Sequence, residues 1–380
     1  MTTIPLLPVY DRSRTVTDWK CPRARYWGYE FRLKGITKET HLELFLGTAT
    51  HEGLASIAQG LPIDEVARAA QQQVYTSLLA EPGDGISEAD AIEWAMEQST
   101  LVEGMLRGFY KHAWPRLIAG AQVVLVEPEL LYEHDGLLFM AKPDLVIRDA
   151  EGNLFYIEFK TTANKKDGWV NSWNTAVQLH STIRAIERQL GEPVSGVIVQ
   201  GLYKGYESYG KQNSPFCYAY QRKGQPPFSE DQTTYEYKAG FKRSPTWELP
   251  GGVVKWIENM PEHILTDQFP QSPVIYLNDA LLESFFRQRA FREKEIRRGM
   301  DFVMKAEVAG SQDLIEQTLD EFFPQHFDQC VPGWGKPCQF RQLCHGGGAD
   351  DPLSHGYIWR TPHHTPEAER FKESEPDAQP

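Results

Sequence analysis

Residues 141–162 read AKPDLVIRDAEGNLFYIEFKTT, and the reading of the whole chain grows outward from them. From Asn153 to Lys160 the residues alternate and are rich in aromatic and branched side chains, which is the pattern of a strand. Successive strand residues point to opposite faces. Glu158 and Lys160 therefore share one face, while Phe155, Ile157 and Phe159 fill the other. Asp149-Ala150-Glu151-Gly152-Asn153 is a turn cluster that folds the preceding strand back, so Asp144 arrives beside Glu158. Two carboxylates and one lysine then converge at the end of a hairpin. Oxygen ligands of this kind suit a hard divalent ion, Mg2+ or Mn2+. Such an ion lowers the pKa of a bound water and neutralises charge on a phosphate, and Lys160 is placed to hold or activate that water. The same triplet also arises as a surface ion pair on a hairpin, so the wider chain has to decide.

The flanking segments extend a sheet in both directions. Val123–Glu127 reads as a buried strand, with Glu129 following Pro128, and Val194–Tyr203 reads as another. Residues from about Asn171 to Leu190 read as a helix closed by Gly191. Its buried stripe is Trp173, Ala176, Val177, Ile183, Ile186 and Leu190. Gln178, Ser181, Thr182 and Ala185 form a small, polar edge able to face the metal. The order strand, strand, strand, helix, strand predicts an α/β fold with a mixed sheet, its last strand returning through a helical crossover.

Upstream, residues 41–59 carry Leu42, Phe45, Leu46, Ala49, Leu54 and Ile57 at helical spacing, with His51 one turn after Gly47. A glycine inside a helix often marks close packing. His51 alone reads most simply as a surface or core histidine. Residues 62–118 continue as amphipathic helices broken near Pro82-Gly83-Asp84-Gly85, a helical insertion or cap. Nearer the start, Thr17 or Asp18 can cap a short helix that holds Cys21.

Downstream, residues 204–250 interleave Lys204, Lys211, Arg222, Lys223, Lys242 and Arg243 with Tyr206, Tyr209, Tyr218 and Tyr220, next to Tyr203. Such a mixture serves a single-strand groove, charges for phosphates and rings for bases, or an ordinary exposed hairpin. A long helix over 277–308 carries Arg287, Arg289, Arg292, Lys294, Arg297 and Arg298 on more than one stripe. That favours a solvated helix over a DNA-contacting face. Residues 311–323 form a further helix. The expected segments are 1–40, 41–122 with the motif histidine, 123–205 as the core, 206–275 as an insertion, 276–348 with the cysteines, and 349–380 as a disordered tail.

The net charge of −13 over 380 residues argues against indiscriminate coating of nucleic acid, though a local basic channel can sit on an acidic body. Residues 349–380 hold seven acids against three Lys/Arg, which concentrates part of that charge in the tail. No apolar run approaches the ~20 residues that span a bilayer, so no membrane partner is expected. Met1–Val9 lacks a basic start and is interrupted by proline, which predicts no secretion signal and a cytoplasmic protein. Five cysteines, an odd number, do not suggest a disulfide framework. Cys330, Cys338 and Cys344 crowd together, as thiolates around zinc or an iron–sulfur cluster do. A four-iron cluster takes four thiolates, with Cys21 as the fourth and Cys217 left over; zinc on the same four remains open.

Taken jointly, His51, Asp144, Glu158-Phe159-Lys160 and Gln178 appear in the order of the RecB-type PD-(D/E)XK nucleases, which the chain resembles. One cysteine before the histidine and three near the C-terminus resemble their iron–sulfur branch. That branch includes the AddB nuclease domain, the CRISPR-adaptation exonucleases and phage-encoded relatives. The resemblance implies a restriction-endonuclease-like sheet flanked by helices, with a [4Fe-4S] cluster binding the C-terminal segment. By it, Asp144, Glu158 and the Phe159 carbonyl ligate Mg2+ or Mn2+, with His51 as a further ligand. Lys160 positions the nucleophilic water, and Gln178 orients the site or contacts DNA. Two departures are visible. Thr182 stands where the family often has tyrosine, and seven residues separate Cys330 from Cys338 where two are common, which makes His326 an alternative ligand. The implied activity is hydrolysis of DNA phosphodiesters, as an exonuclease on single strands or DNA ends. Recombination or CRISPR-adaptation proteins are its implied partners. A catalytically silent adaptor that captures DNA ends, disfavoured by the intact Asp144, Glu158 and Lys160, and a redox-sensing cluster protein are the alternatives.

Overall fold

The computed structural model describes residues 9–38, 42–80, 87–162, 173, 177–204, 214–222, 241–276, 279–331, 337–345, 349, 351–362, 364–365 and 367–368. The chain opens with β1 (Val9–Tyr10), α1 (Arg12–Lys20) and α2 (Pro22–Arg25). Asp11 caps α1 by accepting from the Arg14 N–H at 2.8 Å, so Thr17 and Asp18 lie inside the helix rather than at its start. Cys21 sits at the junction of the two helices. After β2 (Ile36–Thr37) come α3 (Leu42–Ala58), α4 (Ile63–Ala80), α5 (Glu88–Gly108) and the short α6 (Trp114–Leu117). Five strands follow: β3 (Gln122–Val126), β4 (Leu130–His134), β5 (Leu137–Ala141), β6 (Leu145–Arg148) and β7 (Leu154–Thr162). Helix α7 (Val177–Leu190) crosses over to β8 (Val194–Tyr203), and a hairpin of β9 (Tyr218–Arg222) and β10 (Phe241–Pro245) comes next. Helices α8 (Gly252–Asn259), α9 (Glu262–Gln268), α10 (Asp279–Val308), α11 (Gln312–Phe322), α12 (Phe327–Cys330) and α13 (Arg341–His345) lead to β11 (Ile358–Trp359).

The central sheet has the order β3-β6-β7-β8: antiparallel through β7, then parallel to β8 across α7. This is an α/β fold with a mixed sheet flanked by helices, as in restriction-endonuclease-like proteins. The turn at Asp149–Asn153 closes the β6–β7 hairpin as the sequence predicts, with Asp149 N–H donating to the Asn153 carbonyl at 3.0 Å. The order omits one hairpin. Strand β5 pairs with β4 on one side and β1 on the other in a second sheet, apart from β3.

Alternation along β7 divides the core in two. Ile157 and Phe159 pack with Leu145 and Ile147 against α3, α4 and α5. Leu154 and Tyr156 pack on the other face with α7, α10, β4 and β5. The helices of 62–118 are therefore the cover of the sheet's apolar face, not an insertion standing off it. Their packing is close: a Cβ on Gly104 would lie 2.3 Å from the Cβ of Phe216, and one on Gly53 would lie 2.6 Å from Leu106. Gly47 has only ordinary clearance, with Thr161 at 3.6 Å. The described part of 206–275 is no loose insertion either. Phe216, Trp256 and Phe269 join the same core, and Ile275, Ser272 and Pro270 hydrogen-bond along β8 and cover its outer edge. Cys217 is buried there, its thiol donating to the Glu97 carbonyl at 3.2 Å. Residues 205–213 and 223–240, with Lys165, Lys166 and Trp169, lie outside the described residues.

A third core joins Tyr26, Trp27 and Phe31 to Met300, Phe322, Phe323, Phe340 and Tyr357. Beside it lies a buried charge network. Arg25, fully buried, donates to Glu30 at 2.7 Å and to Glu293 at 3.0 Å. Arg14 meets Glu30 at 3.2 Å and also Glu367, which Arg360 binds in turn. The expected disordered tail is thus corrected over its described residues: β11 pairs with β2, and Glu367 is buried. A buried charge needs a partner, and the arginines that meet this one are remote or follow a polar stretch. The solvated reading of 277–308 is corrected as well. Arg289 is buried, Arg292 grips Asp18 at 3.0 and 2.9 Å, and Arg297 donates to the Tyr10 hydroxyl at 2.6 Å, while Arg287, Lys294 and Arg298 are exposed.

Candidate metal centre

In the β6–β7 ladder Leu145 faces Ile157, so Asp144, one residue earlier, comes level with Glu158. Asp144 is tied on three sides. One carboxylate oxygen accepts from the Phe159 N–H at 2.6 Å, the other lies 3.2 Å from His51 Nδ1, and its carbonyl accepts from the Glu127 N–H at 3.0 Å. His51 arrives from α3, whose apolar residues press onto the sheet. Glu158 is 2% exposed; it pairs with Lys160 and faces the Arg12 guanidinium at 3.8 Å. The Lys160 ammonium also donates to the Phe159 carbonyl at 3.1 Å and lies 5.6 Å from the centre of the Trp173 ring.

Sequence reasoning missed Glu127. Ligand atoms of His51, Glu127 and Asp144 lie within 4.8 Å of one another. The available signal was an acid closing the apolar run Val123–Val126 immediately before a proline. Its backbone sits at φ +43, a region that costs a non-glycine residue on the order of 1 kcal/mol or more. The bond to the Asp144 carbonyl holds it there, and Lys142 pairs with its carboxylate at 2.7 Å. Arg12, at the start of α1, is the second residue missed, and no local pattern in the sequence points to it. Gln178 lies in the first turn of α7, but its side chain is outside the described residues.

The two acids are driven in opposite directions. Burial pushes the Asp144 carboxyl up, but His51, Lys160 and the Phe159 N–H outweigh it and leave it below the ordinary range. Burial, reinforced by the charge of Asp144, holds Glu158 above its ordinary value against Lys160 and Arg12. Burial disfavours a charged His51, yet the Asp144 carboxylate raises its pKa. One imidazole and two carboxylates at mutual ligand distance, with a third carboxylate adjacent, make a donor set that fits a hard divalent cation.

The model of the PD-(D/E)XK nuclease superfamily matches residues 13–345. The chain belongs to the PD-(D/E)XK nuclease superfamily. No curated protein matches it. Membership implies a metal-dependent nuclease acting on DNA, and nucleases of this superfamily use Mg2+ or Mn2+, which the donor set above can hold. In this PD-(D/E)XK chain the acids and lysine stand at the end of the β6–β7 hairpin, where the sequence places them.

Cys21 lies near the start of the same superfamily match, and Cys330, Cys338 and Cys344 lie near its end. The Cys338 N–H donates to the Cys330 carbonyl at 3.0 Å, and His345 Nε2 lies 3.4 Å from the Cys330 sulfur. Burial, then the proximity of Cys21, pushes the Cys330 thiol up. Burial raises Cys344 to about 11, with Cys338 and Cys21 adding to it. The charge of Cys21 thus acts on the C-terminal three, and all five cysteines are free thiols; among the described residues the group at mutual ligand distance is His51, Glu127 and Asp144 rather than these thiols. His326, the alternative ligand, holds the Lys20 carbonyl through Nδ1 at 2.8 Å. Among the described residues, no helix is long and apolar enough to cross a membrane.

Proposed function

We propose that this protein is a RecB-type deoxyribonuclease of the iron–sulfur branch that hydrolyses phosphodiesters as an exonuclease on single-stranded DNA or DNA ends. The observation that carries this reading is the meeting of His51, Glu127 and Asp144 beside the buried Glu158–Lys160 pair. Asp144, Glu158, the Phe159 carbonyl and His51, joined by Glu127, hold the ion. A bound Mg2+ or Mn2+ supplies an acidified water and charge neutralisation at the scissile phosphate. Lys160, steadied by Glu158 and the Phe159 carbonyl, positions the nucleophilic water for in-line attack. Gln178 orients the site or contacts DNA. Cys21, Cys330, Cys338 and Cys344 hold a [4Fe-4S] cluster, with zinc as the alternative, and the group ties the C-terminal segment to the N-terminal helices. The proposed setting is the cytoplasm. Recombination or CRISPR-adaptation proteins are the proposed partners.

The test is cleavage of end-labelled single- and double-stranded DNA with Mn2+, comparing the native chain with Asp144→Ala and Lys160→Ala. Cleavage only by the native chain, advancing from an end, supports the reading; cleavage retained by both variants removes the proposed site. Visible sulfur-to-iron charge-transfer absorbance identifies the cluster, and stoichiometric zinc without it replaces the cluster with zinc.

A further inference from the structure

Helix α10 carries two populations of basic side chain. Arg289, Arg292 and Arg297 are bound: Arg289 lies 3.6 Å from Glu293, Arg292 holds Asp18 at 2.9 Å, and Arg297 donates to the Tyr10 hydroxyl at 2.6 Å. Arg287, Lys294, Arg298 and Lys305 stand exposed on the side of the helix turned away from its buried residues. Steps of seven, four and seven residues separate them, and at 3.6 residues per turn such steps return to one stripe. Two exposed rings share it, Phe291 at 69% and Phe302 at 42%. The order along the stripe is Arg287, Phe291, Lys294, Arg298, Phe302, Lys305, over a length of about 27 Å.

The fold uses little of this stripe. Among the described residues none of the four cations meets a carboxylate in an ion pair, and Glu283, near the start of the helix, is taken by Arg184. Lys294 and Arg298, four residues apart, repel each other. Phe291 leaves most of its ring in water. Phe302 is held in place: it stacks on Phe322 of α11 with ring centres 5.7 Å apart, and the Lys305 ammonium and Arg298 guanidinium lie 5.5 and 5.9 Å from its centre. So concentrated a run of positive charge, in a chain whose net charge is −13, calls for a polyanion. Cations alternating with ring faces match one nucleic-acid strand, with charges for phosphates and rings for unpaired bases. A duplex keeps its base faces inside the stack and would use the charges alone, and an acidic peptide supplies charge without a row of flat faces. The helix also joins two regions: Phe286 packs in the core behind β7, and Met300 packs with Phe340 beside the cysteines.

We propose that the outer face of α10 is a sequence-tolerant track for single-stranded DNA, which holds the strand outside the metal centre so that affinity grows with strand length. The proposal rests on the nuclease reading for its ligand and is read by binding.

The measurement is fluorescence anisotropy on full-length protein carrying Lys160→Ala in Mg2+, so that the strand is not consumed, with oligothymidylates of about 5 and about 30 nucleotides. The longer strand should bind at least about tenfold tighter. Replacing Arg287, Lys294, Arg298 and Lys305 together by glutamine should abolish that gain. It should also flatten the dependence of log affinity on log salt by about 3, since each phosphate contact contributes about 0.7; Lys294→Gln alone should remove one such step. Phe291→Ala should weaken the longer strand about fivefold or more, with the salt dependence and the shorter strand unchanged. Equal affinity for the two lengths overturns the proposal, as does a length gain that survives the fourfold variant. A duplex bound as tightly as the long strand, with Phe291→Ala without effect, reduces the stripe to a plain charged surface and overturns it too. Polyglutamate that displaces the long strand as well as unlabelled strand does would assign the face to an acidic protein instead. Absence of cleavage by the native chain, with the length gain present and lost in the fourfold variant, would sink the nuclease reading and leave the track standing; cleavage without any length gain would do the reverse.

Discussion

The metal centre and the charge network around Arg25 are built over different distances along the chain. At the metal centre, Asp144, Glu158 and Lys160 come from one hairpin whose turn and alternation specify their meeting; Glu127 joins from the end of β3, and His51 comes from farther off, 93 positions from Asp144. In the network, Arg25 reaches Glu293 across 268 positions and Arg14 reaches Glu367 across 353. The difference separates two kinds of residue. Polar groups at the hairpin end sit where backbone pairing puts them, and Glu158 finds its lysine two residues along the same strand. Charges in the network are buried, and each is tolerated only because its partner is present. Loss at the first region should silence activity, whereas loss at the second should loosen the molecule.

The largest effect is expected at the first region. Asp144→Asn keeps the shape of the side chain but removes its charge, and should lower cleavage by on the order of 10³-fold. Far-ultraviolet circular dichroism melts of the same protein should move little; a melt lowered as far as in the network variants would erase the distinction. Arg25→Ala comes next. It leaves Glu30 with Arg14 and Glu293 with Arg289 at 3.6 Å, and removing a partner of a buried pair costs up to about 3–5 kcal/mol, readable in urea unfolding. Cys21→Ser belongs beside it, and should lower the melting temperature and the visible absorbance together if the cluster assignment holds.

Gly104→Ala should cost about 1–3 kcal/mol by overpacking against Phe216, with the metal centre's affinity for Mn2+ unchanged by calorimetry. The smallest effect concerns pH. Burial pushes the Asp11 carboxyl up, but Arg14 and the Arg14 N–H pull it below its ordinary value. A depressed carboxylate contributes stability above its unfolded pKa of about 3.9, and that contribution is lost as pH falls through the lower folded value. Asp11→Asn should therefore flatten the acid limb of stability against pH. An unchanged limb would show that the network does not bear on the N-terminal helix.

Much of the hairpin end was legible because period-two alternation, a turn cluster and helical spacing are local signals. The face shared by Glu158 and Lys160, the return of Asp144 and the helix of His51 all follow from them. Glu127 was not, because its left-handed backbone and its approach to His51 depend on the strand pairing of β3 with β6. The β4–β5 hairpin was hidden for a related reason: its strands join a sheet whose third member, β1, is far upstream.

What residue order alone settled is the α/β class, the mixed sheet with its crossover, and the chemical identity of the acids, the lysine and the thiols. Those rest on short-range backbone preference and side-chain chemistry, which a chain carries wherever it is folded. Only the tertiary structure decided that the helices of 62–118 cover the sheet, that Glu367 is buried between arginines, and that Arg12 reaches Glu158. Burial and charge pairing between distant segments are properties of the packed whole. Their energy depends on which partner arrives, and no local pattern encodes that.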